Sequence, residues 1–216
     1  MEQNLSDFAF HKISERIADG TYPRGSKLSI KEISESLNIS RTPVSQAINR
    51  LIAMGIVEMP TQKGAYVKGA SANFNRENIE LREVLELFAA EKAMERRLFI
   101  DGIIKEMEVH SEKFRLSYQM DGTQAAEHEK AFHELFVSAA GSQRLSDVYG
   151  SSMDLNYFDF MGIVRTTPDS VMQNVADLHD AYVRELRAEN LEGLKAVIRD
   201  HYRVSRSLAE WYTLNN

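Results

Sequence analysis

The fold of the first part of the chain is decided by residues 29–55, which read SIKEISESLNISRTPVSQAINRLIAMG. Apolar side chains recur there at helical spacing on either side of a short break. Ser29, followed three residues later by Glu32, has the pattern of a capping box and predicts a helix start. A second helix is expected to begin at Ser40 and to end at Gly55, because glycine commonly terminates helices. The stretch therefore predicts two short helices joined by a tight turn.

The second of these helices has two distinct faces. Its apolar face consists of Val44, Ala47, Ile48 and Leu51. Its opposite face carries one basic and several short polar side chains, namely Arg41, Thr42, Ser45, Gln46 and Asn49. A helix with such a face can enter the major groove of DNA, where these side chain types read base edges. Ser40 and Thr42, together with the amides of the helix N-terminus, can bind phosphates.

The flanking segments complete a small domain. Upstream, Ala9, Ile13 and Ile17 predict another helix. Downstream, residues 56–59 and 65–67 read as two short strands joined by a turn, and Lys63 near the tip of that hairpin can reach the DNA backbone or minor groove. Three helices and a hairpin indicate a winged helix-turn-helix DNA-binding domain over residues 1–70. The competing interpretation is a set of amphipathic helices whose polar faces are simply solvated.

Two motifs in this region resemble a known family. The sequence YPRGSKL at 22–28, followed by SRTPV at 40–44, is similar to the DNA-binding domain of GntR-family transcription regulators over residues 6–69. The resemblance implies DNA contacts at Arg41, Thr42 and Gly64, and at Arg24 or Lys27. The family usually has an arginine where this chain has Ser45. Since arginine is the usual bidentate reader of guanine, the operator of this protein is expected to differ from the family pattern.

Composition and charge exclude several classes of protein. The chain has 216 residues, 43% of them hydrophobic and 27% charged, which fits one or two globular domains. The absence of cysteine excludes disulfide frameworks, thiolate zinc sites and iron–sulfur clusters. No apolar run approaches the ~20 residues that span a bilayer, and the N-terminus does not resemble a signal peptide, so a cytoplasmic protein is expected.

The two parts of the chain differ in charge. Residues 1–70 hold nine Lys+Arg and seven Asp+Glu, whereas residues 71–216 hold seventeen and twenty-five. The predicted DNA-binding part therefore has a net charge of +2, although the whole chain has −6.

Residues 71–216 are predicted to form an antiparallel helical bundle, because the helical segments are joined by short loops. A small, polar linker is expected at 69–75. The predicted helices span 76–97, 101–119, 123–140, 143–162 with a break near Gly150, 168–188 and 191–212. The fold class is therefore mostly α, with an N-terminal winged helix-turn-helix followed by a helical bundle.

Three histidines in this bundle lie on otherwise apolar helix faces. His133 follows Glu129 by four residues, so both side chains share one face. His179 and His201 each lie eleven residues from a turn near Asn190, so in an antiparallel hairpin they stand level, ~16 Å from the turn. One carboxylate and three imidazoles suit Zn²⁺, Ni²⁺, Mn²⁺ or Fe²⁺. The alternative is that each histidine is a core residue bonded to a carbonyl or a tyrosine.

The same residues resemble the FCD ligand-binding domain of the FadR-like GntR subfamily, over residues 75–212. The sequence EKAFH at 129–133 precedes two histidines that are twenty-two residues apart, as in that family. The family has aspartate where this chain has Glu129. The resemblance implies a metal that, with nearby polar groups, holds a small carboxylate effector. Arg82 matches an arginine frequent at the start of this domain; it either completes the pocket or is solvated and paired with Glu86.

The sequence predicts a regulator and not an enzyme. His128 and His133 are five residues apart, one too many for a zincin motif, and no nucleophile elbow, P-loop or dinucleotide fingerprint is present. The expected protein is a homodimeric transcription regulator, acting as a repressor on double-stranded operator DNA. The alternatives are a metal-dependent enzyme and a metal-free scaffolding bundle with a DNA-binding head.

Overall fold

The computed structural model of the chain describes residues 5–60, 64–68, 72–96 and 101–215. The chain divides into two compact units, residues 1–71 and 72–216. Over the described ranges, no helix is both long and apolar enough to cross a membrane.

Among its described residues, the first unit contains three helices and a three-stranded sheet. The helices are α1 (Leu5–Ala18), α2 (Ile30–Leu37) and α3 (Arg41–Ala53). The strands are β1 (Lys27–Leu28), β2 (Val57–Glu58) and β3 (Ala65–Val67). The sheet is antiparallel with the order β1-β3-β2, so the sequence analysis found two of its strands and missed β1.

Strand β1 forms because a glycine turn brings it against the hairpin. Gly25 has a φ of +80°, a conformation that favours glycine, and its amide donates a 2.8 Å hydrogen bond to the carbonyl of Val67. The turn places Lys27 opposite Tyr66 in the ladder. Two residues are too short a run to show the alternating pattern from which strands are predicted.

Local signals and packing fix the helices of this unit. The side chain of Ser29 caps α2 by accepting from the amide of Glu32 at 3.3 Å. The apolar face of α3 packs against α1, and its core residues Val44, Ala47 and Leu51 are fully buried. The polar face of α3 is thereby left outside the core of this unit.

In the described part of the chain, the second unit is a bundle of six helices. They are α4 (Ala72–Arg96), α5 (Asp101–Ser117), α6 (Gly122–Ser138), α7 (Gln143–Thr166), α8 (Asp169–Arg187) and α9 (Leu191–Asn215). The ion pairs Glu83–Arg206 and Glu91–Lys195 show that α4 and α9 run antiparallel. The predicted fold class, mostly α with a winged helix-turn-helix and a helical bundle, is confirmed.

Two details of the predicted bundle are wrong. Helix α7 continues through Gly150 without a break. A Cβ at position 150 would lie 3.1 Å from Oε1 of Glu134 on α6, so the end of the Glu134 side chain lies against this glycine.

The expected linker is also shorter than predicted, because α4 begins at Ala72; residues 69–71 lie outside the described ranges. Contacts with α7 hold the start of α4. Asn75 donates to Asp159 at 2.7 Å, and Asn78 donates to the carbonyl of Ser152 at 2.8 Å.

Candidate nucleic-acid interface and metal centre

The outer face of α3 presents the side chains expected to read DNA. Arg41, Thr42, Gln46 and Asn49 are exposed, and Ser45 is half-buried. Ser40 is the N-cap of α3, but its hydroxyl makes no hydrogen bond to the helix amides. The hydroxyl and the first amides of α3 are therefore available to an anion such as a phosphate.

Two further predicted DNA contacts lie together beside the sheet. Gly64 has a φ of +97°, and a Cβ at this position would come within 2.9 Å of Cε of Lys27. Glycine at this position therefore allows the Lys27 side chain to lie close to the hairpin. Arg24 is exposed in the turn that precedes β1. Lys63 lies outside the described residues.

Four buried side chains of the bundle converge on one point. Glu129 and His133 come from α6, His179 from α8 and His201 from α9. One nitrogen or oxygen of each lies within 4.8 Å of the corresponding atoms of the others. The Nε2 atoms of the three histidines lie 3.2–3.5 Å from the Glu129 carboxylate, so all three rings face this carboxylate.

Most polar atoms of this cluster lack partners. Among the described residues, neither nitrogen of His179 or His201 has a hydrogen-bond partner, and the same holds for Nε2 of His133 and Oε2 of Glu129. A buried polar group without a partner costs roughly 1–3 kcal/mol. Six such atoms in one place are therefore unusual for a core that needs no ligand.

Aromatic packing orients His179. Its ring stacks on Phe132 with a centroid separation of 4.2 Å and an angle of 25°, and the Phe114 ring lies 5.2 Å away at an angle of 67°. The rings of His179 and His201 have centroids 5.3 Å apart. The tilt of these rings is thus set by packing, because the described residues offer their nitrogens no hydrogen bond.

Glu86 is a residue that the sequence analysis did not place in this site. It lies on α4 with a fully buried side chain, and its Oε1 is 2.8 Å from Nδ1 of His133. Three tyrosine hydroxyls, from α7, α8 and α9, also donate to it, namely those of Tyr149, Tyr182 and Tyr202. The sequence does contain one signal that Glu86 is buried. This glutamate lies on the apolar face of its helix, among Ile79, Ala89, Ala90 and Ala93.

The buried charges shift one another. Desolvation raises the pKa of Glu86, but the charge of His133 and the hydrogen bonds from His133 and Tyr149 outweigh it and lower this pKa to about 2. Burial lowers the pKa of His133, yet Glu86 and Glu129 raise it to about 9. Burial and then the charge of His133 lower the pKa of His201 to about 4. The site therefore favours one positive charge between two ionised carboxylates.

A cavity adjoins this cluster, and Glu129 belongs to both. Its wall includes Arg82, Glu129, Lys130 and Ser205. Arg82 is only 9% exposed, so the interpretation as a solvated surface arginine is wrong. Nη1 of Arg82 contacts Sδ of Met153 at 2.8 Å, whereas its Nε has no partner among the described residues.

His128, which the sequence analysis considered as part of a zincin motif, lies apart from the cluster. Its Nδ1 is 3.1 Å from Nδ1 of His110 on α5. The rings of this pair have centroids 5.2 Å apart. His128 and His133 thus point to different partners, as their spacing of five residues requires.

Comparisons with known proteins assign both units to known families. Residues 5–67 match the family described as bacterial regulatory proteins, gntR family, and residues 77–204 match the FCD domain. The uncharacterised HTH-type transcriptional regulator YdhC of Bacillus subtilis is 21% identical over 193 residues, which cover 89% of this chain and 85% of that protein. LutR of the same organism is 29% identical over 60% of this chain and 65% of its own length.

A third relative and a solved structure cover nearly the whole chain. The gluconate operon transcriptional repressor of Bacillus subtilis is 20% identical over 95% of this chain and 90% of its own length. The structure of McbR/YncC of E. coli superposes with a TM-score of 0.76 at 16% identity, covering 99% of this chain and 100% of that chain, which shows that the fold is shared.

The fold and these matches define the class of protein as a DNA-binding transcription regulator and not an enzyme, as the sequence predicted. The chain belongs to the GntR family of bacterial regulators and carries an FCD domain.

Proposed function

We propose that residues 71–216 bind a divalent metal ion and, beside it, a small carboxylate effector, and that this binding controls how residues 1–70 bind operator DNA. The observation that carries the proposal is the set of unpartnered, buried polar atoms of Glu129, His133, His179 and His201. Three imidazoles and one carboxylate are a donor set for Zn²⁺, Ni²⁺, Mn²⁺ or Fe²⁺. These four residues would hold the ion, which would supply a positive charge for an anionic effector.

Glu86 supports the proposed metal site through its hydrogen bond with Nδ1 of His133, the ring nitrogen that does not face Glu129. Because Nδ1 of His133 bonds to Glu86, Nε2 is the nitrogen that faces Glu129 and the other two histidines. A carboxylate behind a ligating histidine fixes its ring orientation and tautomer and makes it a better ligand. The three tyrosine hydroxyls fix the position of Glu86 itself.

The adjoining cavity suits a small carboxylate. Arg82 contributes positive charge to its wall, and Nε of Arg82 is a buried donor with no partner among the described residues. Lys130 also lines the cavity, but its ammonium group is paired with Glu134 and Asp154. Glu129 lines the cavity and also belongs to the four-residue cluster, so an effector in the cavity would lie next to the ion. A carboxylate held by a guanidinium and a cation satisfies both positive groups.

In the same proposal, α3 reads the operator in the major groove. Arg41, Ser45 and Asn49 would face bases, with Thr42 and Gln46 beside them, while Ser40 and the groups near the hairpin, including Arg24, Lys27, Lys63 and Gly64, would contact the backbone or minor groove. A module of this size reads a few base pairs, so a homodimer on two half-sites is expected. Repression is proposed because one relative is named a repressor. A protein that binds operator DNA would act in the cytoplasm.

The effector would act by changing the relative placement of the two DNA-binding units of the dimer. Such linkage between an effector site and a second binding site is typically worth about 1–3 kcal/mol, or a 5- to 150-fold change in operator affinity.

The deciding experiment is elemental analysis of the full-length protein prepared without chelator, followed by titration of the metal-free protein with Zn²⁺, Ni²⁺ and Mn²⁺. About one ion per chain is expected for the native protein, and none for the His179→Ala, His201→Ala double variant. A matched control is His11→Ala, which changes an exposed histidine of α1. Native protein that contains no metal and takes up none would contradict the site and would favour the metal-free scaffold.

A second titration tests the effector. Small mono- and dicarboxylates are screened by thermal shift against the metal-loaded protein, and hits are repeated with Arg82→Ala. Stabilisation that requires both the metal and Arg82 is expected. Hits that stabilise the metal-free protein equally well would show that the ion does not hold the effector.

A further inference from the structure

The cavity beside Glu129 is lined by a buried amide at the start of α4. Asn75 is 3% exposed and belongs to the cavity wall, and its Nδ2 donates to Oδ2 of Asp159 at 2.7 Å. An ionised carboxylate only accepts hydrogen bonds, so this contact fixes which end of the amide carries the nitrogen. The other end, Oδ1, is an acceptor that has no hydrogen-bond partner among the described residues.

The face of α4 that lines the cavity carries three different kinds of side chain in a row. Asn75, Ile79 and Arg82 all belong to the wall, and their spacings of four and three residues place them on one face of the helix. Asn75 and Arg82 are two turns apart, about 10 Å along the helix axis. A ligand lying along this face would meet a guanidinium at one end, an apolar side chain in the middle and an amide oxygen at the other end.

Other parts of the wall are apolar and cannot pair with this amide oxygen. Ala126 of α6, Phe160 and Ile163 of α7, and Leu208 of α9 line the cavity. A buried acceptor that is left unpaired is unfavourable, because it has lost its hydrogen bonds to water. A ligand that donates a hydrogen bond to Oδ1 of Asn75 would remove this penalty, whereas a ligand that ends in a methyl group would not.

We propose that the effector carries a hydrogen-bond donor at the end opposite to its carboxylate, and that this donor binds Oδ1 of Asn75. The inference rests on the proposed function, in which Arg82 and the ion hold the carboxylate. It narrows the effector to one chemical class, the carboxylates with a terminal hydroxyl or ammonium group. Since both side chains extend into the span between them, that span suits a chain of about four to six carbons.

The groups at this end of the cavity favour a donor over a second carboxylate. Oδ1 of Asn75 and the carboxylate of Asp159 both accept hydrogen bonds, so a second carboxylate placed against them would be repelled. A hydroxyl group satisfies Oδ1 with one hydrogen bond. An ammonium group can do the same and is also attracted by the negative charge of Asp159.

The first test compares acids of equal length on the metal-loaded, full-length protein by isothermal titration calorimetry. Butyrate, γ-hydroxybutyrate and γ-aminobutyrate form one set, and the homologues with one and two more carbons form the others. At the best length, a donor-bearing acid should bind at least about tenfold tighter than the plain acid, and the dicarboxylate should bind no tighter than the plain acid. Equal dissociation constants for plain and donor-bearing acids at every length would overturn the inference.

A pair of variants tests the assignment to Asn75. Asn75→Leu keeps the volume of the side chain but removes the acceptor, so donor-bearing and plain acids should bind it with similar dissociation constants. Asn78→Leu is the matched control, because Asn78 is also a buried amide of α4 that bonds to α7, at the carbonyl of Ser152, and it is not part of the cavity wall. This control should retain the native preference.

Circular dichroism shows whether each variant is folded, and the comparison of acids on the native protein needs no variant. A preference for the donor-bearing acid that survives in folded Asn75→Leu would overturn the assignment to this residue. Loss of the preference in both variants would likewise show that the amide oxygen of Asn75 is not its source.

The outcomes separate the inference from the proposed function on which it rests. If plain and donor-bearing acids bind equally, and binding still requires the metal and Arg82, the effector site stands and only the terminal donor is wrong. If none of these acids and none of the dicarboxylates binds the metal-loaded protein, the proposed effector site and the inference are both contradicted. Elemental analysis reports on the metal at Glu129 independently of either result.

Discussion

At the scale of single residues, Arg41 is the first basic side chain on the outer face of α3. Because it is exposed and makes no contribution to the core, Arg41→Ala should cost about 1–3 kcal/mol of specific operator binding with little change in folding. Fluorescence anisotropy with the native operator measures this loss.

Arg50 provides the control on the same helix. It faces α1, with its guanidinium carbon 3.9 Å from the centre of the Phe10 ring and an ion pair to Asp7 at 3.2 Å. Arg50→Ala should change the stability of the first unit more than its DNA sequence specificity. Equal operator affinity of Arg41→Ala and native protein would contradict the assignment of α3 as the recognition helix.

Ser45 is the position at which this chain departs from its family. It is half-buried on the same side of α3 as Arg41 and Asn49. Restoring a guanidinium with Ser45→Arg should shift the preferred half-site towards one that contains guanine, since arginine binds O6 and N7 of guanine together. Selection from a random DNA pool provides the measurement. The same consensus for both proteins would show that residue 45 does not face the bases.

Glu86 is the residue on which the orientation of His133 depends. Glu86→Gln keeps a hydrogen-bond acceptor for the tyrosines but removes the charge behind His133, and metal affinity should fall about 10- to 100-fold. Competition with a chromophoric chelator measures this affinity. Glu80→Gln is the control, because Glu80 is exposed on the same helix and pairs only loosely with Arg76, at 3.8 Å. Similar affinities of the two variants would show that Glu86 does not support the metal ligands.

At the scale of elements, the contact between α5 and α6 contains a pair of titratable side chains, His110 and His128. Burial lowers the pKa of both below 6.5; Lys113 lowers that of His110 further, and His110 lowers that of His128. A lowered pKa means that the neutral pair stabilises the fold above about pH 6.5 and that this contribution is lost as the pH falls through the folded-state values.

The loss of stability at acid pH should therefore be smaller in His128→Gln, which cannot gain a proton beside His110. Urea unfolding of the metal-free protein near pH 7.5 and near pH 5 measures it, with the fluorescence of Trp211 on α9 as a signal from the second unit. His11→Gln on α1 serves as the control. The same acid sensitivity in His128→Gln and native protein would show that this pair does not contribute.

The elements also show where local patterns mislead. Gly150 was expected to interrupt a helix because glycine is a weak helix former, yet α7 is continuous there and Glu134 of α6 lies against it. The helix gains a close contact at this position that no pattern within α7 indicates. Ser29 is the opposite case, since its cap on α2 depends only on residues three positions away, and the sequence predicted it correctly.

At the scale of the whole molecule, a metal ion at Glu129 would connect α6, α8 and α9. A ligand that binds only the folded state stabilises it by mass action, by about 4 kcal/mol when its free concentration is about 1,000 times its Kd. Removing the ion with a chelator should therefore lower the melting temperature of the second unit, and the effect should be absent from the His179→Ala, His201→Ala double variant.

Differential scanning calorimetry of the full-length protein, with and without chelator, makes this measurement. The melting temperature of the metal-loaded protein should also rise with added metal. A native melting curve that does not respond to chelator would contradict a structural contribution of the ion, whatever its effect on the effector.

The sequence by itself determined the features that depend on neighbours along the chain. The cap at Ser29, the two faces of α3 and the level spacing of His179 and His201 follow from helical periodicity, and the motifs of the DNA-binding unit were recognised by their resemblance to a known family. These features identified the fold class and the family. Periodicity also brought Glu129 and the three histidines into one hypothesis. Glu129 and His133 share a helix face because they are four residues apart, and His179 and His201 stand level because each lies eleven residues from one tight turn.

Only the tertiary structure decided what depends on packing between distant segments. Glu86 receives hydrogen bonds from side chains 47 to 116 positions away, and no local spacing relates such residues. The cavity beside Glu129 arises in the same way, since a helix face becomes the wall of a cavity only after its neighbours have packed. Periodicity shows which side chains share a face, whereas the fold alone determines what that face contacts.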